Sequence, residues 1–508
     1  MFYVPLWIEM LRSRPLLVFW LATLAQALVW IAVPTLFYAA PPSGLAQLLA
    51  IGHEFRFDAG VGPPLAYWLA EIAFRIAGLF GVYVLAQLCV VTTYWCVFAL
   101  GRAIVGPTHA AIAVLLMAGI SLFTVPSPDF GPPILAVALW SVVLLHYWEA
   151  VMQNDRRSWY VLGAAAALLL LTSEAALLLL GTLVVFTAAT ARGRAALDAI
   201  EAWYVAVALV VFLFLHLLWL QGLNGSLEPV LARLRDAALA GANTSLWLRL
   251  LAALVLAHAG IFILLVLAGG WPRLRAAPVQ PIARTAVDSF ALTFVKVFAL
   301  VPGLLATIAA VIAGNAQPIG GSAPLVVLSG LALVIAAGDS ITLYHQRILG
   351  FAWTGLLFVP AIFVPILILL LPWTAGIELN VAQPASAIGH FFADSFERRT
   401  GAPLAVVTGD PRLAALVALA APSRPSVFFD ADPARSPWVT ADDIRKKGAV
   451  VVWLSADTTP TPPPDIKANF PDLVAEVPRS FERPVQGRLP VLWIGWGVIR
   501  PGSVAAAQ

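Results

Sequence analysis

The stretch LLLLTSEAALLLL, residues 168–180, decides the sidedness of everything that follows it. Eight leucines flank Thr172, Ser173 and Glu174, inside an apolar run that extends from Trp159 to Ala191. If the polar triplet is a turn, the run folds as two short helices. If it lies mid-helix, the run is one span and every later loop changes side.

The chain around it is an integral membrane protein by composition. Of its 508 residues 61% are hydrophobic and 11% charged, and the mean hydropathy is +0.90, far from the balance of a soluble globular chain. The net charge of +3 is mild, and without a basic tail or helix it excludes a nucleic-acid partner. Arg12 and Arg14 precede the apolar run Leu16 to Phe37, which is long enough to span and lacks a small-x-small cleavage site, so a retained first helix is expected. Cys89 and Cys96 lie seven apart in one apolar segment, about 10 Å along a helix, which is too far for a disulfide and predicts two packing residues.

Apolar runs between residues 16 and 372 give about eleven spans when Trp159 to Ala191 is counted as a hairpin. The arginines support that choice. With the N-terminus cytoplasmic, Arg12, Arg14, Arg102, Arg156, Arg157, Arg192, Arg194, Arg273, Arg275, Arg284 and Arg347 fall inside, against Arg56, Arg75, Arg233, Arg235 and Arg249 outside. This is the positive-inside bias, and it puts a first loop, residues 39–77, on the outer face.

The same count leaves residues 374–508 outside, after a transmembrane domain of residues 1–373. There PLAVVTG, SVFFD and AVVVWLS read as strands, alternating with PRLAALVALAA and TADDIRKKG as helices. That alternation predicts a small extramembrane α/β domain with a mainly parallel sheet. Asp410, between the first strand and its helix, suits helix N-capping, and the chain lacks the glycine run of a dinucleotide site.

Ionisable residues in or beside a membrane domain are costly and therefore functional candidates. The stretch GHEFRFDAGVGPP, residues 52–64, gathers His53, Glu54, Arg56 and Asp58; Glu71 follows in the same loop, Asp129 stands in FTVPSPDFGPP, and Glu174 marks the hairpin tip. Helical spacing would set Glu54 and Asp58 on one face, whereas an extended strand would align Glu54, Arg56 and Asp58. Either arrangement offers a carboxylate as general base and an arginine for a phosphate leaving group, or else a set of ion pairs capping a solvated loop. Lys296 is placed to snorkel; His216 and His258 are expected to pack, and Asp339 stands near an inner helix end.

The loop from Gly44 to Gly78, with FTVPSPDFGPPILAVALWSVVLLHYW and LLLLTSEAALLLL after it, resembles the family 39 polytopic glycosyltransferases, which include protein O-mannosyltransferases and bacterial aminoarabinose transferases. Pro63-Pro64-Leu65 with Trp68-Leu69 is the most specific match. The resemblance implies a mainly α, GT-C-like membrane helix bundle that moves a sugar from a polyprenyl-phosphate donor to a lipid or polysaccharide acceptor on the periplasmic side of a bacterial inner membrane. The family's Asp-Glu pair near a Gln is absent, since Ser43-Gly44 stands there before Gln47, and Glu174 replaces a phosphate-binding lysine.

Two readings follow. In the first, Glu54 or Asp58 is the base, Arg56 binds phosphate, and His53, Asp129 and Glu174 contact substrate; no metal motif is present, though His53 and Asp129 suit a divalent cation. In the second, the chain is a non-catalytic scaffold or lipid-binding protein that kept the fold.

Overall fold

The computed structural model describes residues 9–57, 62–124, 129–224, 244–268, 285–315, 317–319, 326–338, 341, 343–471 and 473–502. They form two compact units, residues 1–31 with 84–361 and residues 32–83 with 362–508.

The first unit is helical. Among the described residues of the whole chain, five helices are long and apolar enough to cross a membrane: Pro15–Phe37, Leu65–Val105, Pro132–Met152, Ser289–Ala313 and Ile348–Thr374. A sixth candidate is the pair Thr244–Ala257 and Ala259–Leu267, bent by 43°. The polytopic bundle is thus present, with several apolar runs folded as shorter helices. Pro107–Met117 is one of these, and it begins where Gly106 takes φ +89° and Pro107 occupies the first turn.

The decisive stretch folds as two short helices joined by a turn. Arg156–Leu170 is N-capped by Asp155, which accepts from the Arg157 amide at 3.2 Å, and Ala176–Ala189 follows after a turn through Thr172-Ser173-Glu174. At 15 and 14 residues and 1.5 Å rise, each helix covers about 22 Å, short of a ~30 Å hydrocarbon core. Thr172 hydroxyl donates to the Leu168 carbonyl at 2.8 Å, satisfying a carbonyl that the helix end leaves open.

Packing in this unit is aromatic. Tyr147 stacks on Phe294 with ring centroids 6.0 Å apart, Trp148 meets Phe294 at 5.5 Å, and Phe186 meets Phe298 at 5.2 Å. Such pairs add direction to apolar contact. Buried Gln26 is satisfied: its Nε2 donates to Tyr94 Oη at 3.1 Å and to the Phe123 carbonyl at 2.9 Å. Cys89 and Cys96 are buried free thiols, as their spacing requires.

The second unit holds a five-stranded sheet of order β2-β1-β3-β5-β4. The strands are β1 Val406–Gly409, β2 Ser426–Phe429, β3 Ala449–Ser455, β4 Val474–Phe481 and β5 Leu492–Ile499. The first three strands and the helices Pro411–Ala420 and Ala441–Lys447 fall where the alternating pattern predicts. The sheet, however, is mixed rather than mainly parallel: β1 pairs parallel with β2 and β3, while β5 runs antiparallel to both β3 and β4.

The missed hairpin has weak strand signals. β5 contains Gly495 and Gly497, which normally weaken a strand, and β4 contains Pro478 with a register shift between Glu476 and Arg479. Close packing explains Gly495, because a Cβ there would lie 2.1 Å from the Trp453 indole nitrogen.

Two further helices belong to this unit. Ser43–Gly52 has seven buried positions, from Leu45 to Gly52, and packs against Pro411–Ala420. The helix Leu65–Val105 breaks at Ala77 and Gly78, where Gly78 takes φ +62°, so residues 65–76 form a separate segment carrying Glu71 and Arg75.

The join between these helices is tight at Gly52, whose added Cβ would meet the Tyr67 carbonyl oxygen at 2.4 Å, whereas Gly44 has open space around it. Gly52→Ala should lower stability by about 1–3 kcal/mol through overpacking, and Gly44→Ala should be neutral or slightly stabilising as helix propensity improves. Thermal unfolding of the two variants in detergent checks this ordering.

Candidate functional site

Helix Ser43–Gly52 ends at Gly52, and the chain turns through His53 and Glu54 into Phe55, which takes φ +49°. That turn faces Glu71 on the segment of residues 65–76, and both lie in the second unit. Arg424 enters the same cluster from the loop ahead of β2, also at a left-handed φ of +49°.

Glu71 is the hub. Its side chain is 2% exposed. Oε1 accepts from Arg75 Nε at 2.9 Å and lies 3.2 Å from His53 Nδ1, while Oε2 accepts from Arg424 Nη2 at 2.7 Å. The two guanidinium groups also rest on aromatic faces, Arg75 at 4.8 Å from the Phe55 ring and Arg424 at 4.6 Å from the Phe74 ring. A desolvated carboxylate keeps its charge at low cost only with partners of this kind.

Glu54 sits differently. It is half-buried, and its Oε1 is enclosed without a hydrogen-bond partner among the described residues. Burial pushes its carboxyl above the usual range, against the opposing influence of Ser426 and of the charges on His53, Arg56 and Lys447. Arg424 is pulled the other way: desolvation lowers its pKa, and Glu71 and Glu54 counter that while Arg75 adds to it. Arg424 Nη1 is likewise enclosed and has no partner among the described residues.

Of the residues named from sequence, His53, Glu54 and Arg56 therefore share one turn, with Arg56 exposed. Asp58 lies outside the described residues. Asp129, half-buried, and Glu174, exposed at the turn between two helices, belong to the first unit. Among the described residues no group of three or more His, Cys, Asp or Glu is placed to hold a metal ion.

Sequence reasoning missed Arg424, Ser426 and Lys447. A lone arginine between prolines in APSRPSVFF is the only local signal, and nothing in spacing ties it to a carboxylate 353 positions earlier. Asp410 is an N-cap, as expected, accepting from the amides of Arg412 at 2.9 Å and Leu413 at 3.0 Å. His258 packs with Nδ1 2.7 Å from the Leu254 carbonyl and Nε2 3.0 Å from Ser329 Oγ. Lys296 is exposed on its helix, while Asp339 and the His216 side chain lie outside the described residues.

Residues 61–219 match the family described as dolichyl-phosphate-mannose-protein mannosyltransferase. The fold is similar to that of ArnT from Cupriavidus metallidurans bound to undecaprenyl phosphate, at TM-score 0.53 and 12% identity over 96% of this chain and 98% of that one. The apo form of the same protein gives TM-score 0.55 and 13% identity over 94% and 97%. No curated protein matches in sequence. The resemblance to the mannosyltransferase and aminoarabinose-transferase group is borne out, and the chain has an ArnT-like fold.

Two outcomes follow from the cluster. Glu71→Ala leaves three basic side chains facing a partly buried site without their counter-charge and should cost roughly 3 kcal/mol, read by thermal unfolding. For Glu54, a folded pKa above the unfolded one means that the folded state holds the proton longer, so stability falls as pH rises from the ordinary carboxylate range through the Glu54 pKa. The melting temperature of Glu54→Gln should lack that component, so the gap between variant and wild type widens in the variant's favour across the same pH window.

Proposed function

We propose that this chain is a membrane glycosyltransferase that takes a sugar from a polyprenyl-phosphate donor and passes it to a lipid or polysaccharide acceptor on the periplasmic face of a bacterial inner membrane. The observation that carries the reading is the Glu54 carboxylate, enclosed, with an unpartnered oxygen and a raised pKa, amid His53, Arg56, Arg424 and Lys447. The fold supports it, since the structurally similar ArnT was solved bound to undecaprenyl phosphate. The arginine distribution supports the outer side for this loop.

In the reaction, the acceptor hydroxyl gives its proton to Glu54 while its oxygen bonds to the anomeric carbon. The bond from that carbon to the phosphate oxygen breaks, and its electron pair leaves on the polyprenyl phosphate. A base whose pKa lies closer to neutrality takes such a proton more readily than an ordinary carboxylate. Arg56, exposed on the same turn, is the group offered to the leaving phosphate, with His53 beside it. Glu71 is not the base in this scheme: its oxygens are already engaged by Arg75, His53 and Arg424.

The test is transfer by protein reconstituted in lipid vesicles, supplied with radiolabelled undecaprenyl-phosphate mannose or aminoarabinose and a bacterial membrane lipid extract as acceptor. Glu54→Gln should reduce transfer by about 10²-fold or more while leaving the protein folded. Wild-type protein without transfer, or a Glu54→Gln variant with full transfer, sinks the reading and favours a scaffold that kept the fold.

A further inference from the structure

The carboxyl end of β1 opens on a recess that the transfer scheme leaves unused. Its lining includes Ser43, Asn380, Gln383, Asp410, Arg412 and Leu454, all in the second unit, and its volume is about 130 Å³. The strand order explains why a recess forms there. β1 leads through helix Pro411–Ala420 to β2 on one side, while β3 lies on its other side and leads away toward β4, so the chain leaves the ends of β1 and β3 in opposite directions. Open α/β sheets bind ligands in the crevice at such a point. The two strands are held together at its base, where the Asp410 amide donates to the Val452 carbonyl at 2.8 Å. Gly409, at φ +109°, permits that approach, since an added Cβ would lie 2.0 Å from the same carbonyl oxygen.

The rim is fixed before any ligand arrives. Ser43 opens helix Ser43–Gly52, which packs on Pro411–Ala420. Asn380 and Gln383 bound a short turn whose Val381 carbonyl accepts from the Ala39 and Ala40 amides at 2.9 and 3.0 Å. Asp410 spends only Oδ1 on capping its helix. Its Oδ2, with the side chains of Ser43, Asn380, Gln383 and Arg412, makes no hydrogen bond among the described residues. Five polar groups thus line one cavity without using one another. Beside them Leu454, 58% exposed, offers an apolar surface at the end of β3.

The chemistry restricts the occupant. A phosphate would suit Arg412 but oppose Asp410, a cation would do the reverse, and a zwitterion would pair with both while leaving Ser43 and the two amides idle. A ring bearing several hydroxyls uses all five, because each hydroxyl both donates and accepts, and its C–H face suits Leu454. The volume, about four waters at ~30 Å³ each, suits the body of one such ring and lies below the ~300 Å³ at which pockets for larger ligands begin. We propose that this cavity binds a single neutral sugar unit, with Asp410 Oδ2 accepting from its hydroxyls and Arg412, Asn380 and Gln383 donating to them. Sugar binding stands by itself; only its use, as a hold on a glycan acceptor, rests on the glycosyltransferase reading.

The experiment is saturation-transfer NMR on the full chain in lipid nanodiscs, free of glycoside detergent, with the methyl glycosides of mannose, glucose and galactose, and with L-alanine and inorganic phosphate tested in parallel. At least one glycoside should bind with a Kd of about 1–10 mM, as expected for a ligand of about a dozen heavy atoms. Asp410→Asn should weaken it about tenfold, the effect of one charge-assisted hydrogen bond, while the melting temperature without ligand stays unchanged because Asn caps a helix as well as Asp. Glu54→Gln should bind the glycoside like wild type. If Asp410→Asn does not fold, Asn380→Ala and Arg412→Ala, both at exposed positions, carry the same comparison. Absence of glycoside binding, binding that survives these cavity substitutions, loss of binding in Glu54→Gln, or binding of phosphate or alanine in place of the glycosides each overturns the proposal. Glycoside binding without sugar transfer in the vesicle assay fails the glycosyltransferase reading alone, and Glu54-dependent transfer without glycoside binding fails this inference alone.

Discussion

One carboxylate organises the second unit. Glu71 sits almost fully out of solvent and is held there by His53, Arg75 and Arg424. A charge in that position is stable only while its partners stay, so the arrangement works as a constraint on three separate pieces of chain at once. The turn after helix Ser43–Gly52, the segment of residues 65–76 and the loop before β2 each contribute a group to it. Phe55 and Phe74 complete the support by offering ring faces to the guanidinium groups.

That constraint separates two carboxylates by role. Glu71 is saturated with donors, whereas Glu54, the residue next to His53, keeps an enclosed oxygen without a hydrogen-bond partner among the described residues. Environment rather than residue type makes the difference, as it does wherever neighbouring acids divide structural and chemical work. The positive charge gathered for Glu71 also lies near Glu54, so the structural pairing shapes the electrostatics of the candidate base.

Much of this was legible in the sequence. Periodicity and turn chemistry identified the break between two helices at Thr172-Ser173-Glu174 and three of the five strands, because those signals are local. The charged turn at His53 and Glu54 stood out for the same reason, against an apolar background. β4 and β5 did not, since Pro478, Gly495 and Gly497 carry the opposite of a strand signal and are explained only by an edge position for Pro478, by the Trp453 ring against Gly495 and by Leu473 and Val474 against Gly497. Arg424 could not be found from spacing, for its partner is 353 residues away. Glu71 was visible as one acid of the loop, but its saturation by three basic residues is a property of packing alone.

The irregular β4 strand has a meaning of its own. It forms one end of the sheet, and it carries a proline and a bulge where its free edge would otherwise be a regular ladder of hydrogen-bonding groups. Proteins confined to a membrane meet one another repeatedly in a plane, with their orientations restricted, which favours edge-to-edge strand pairing between copies. Pro478 removes a donor from that edge and the bulge twists it out of register, so the sheet resists becoming a seed for aggregation.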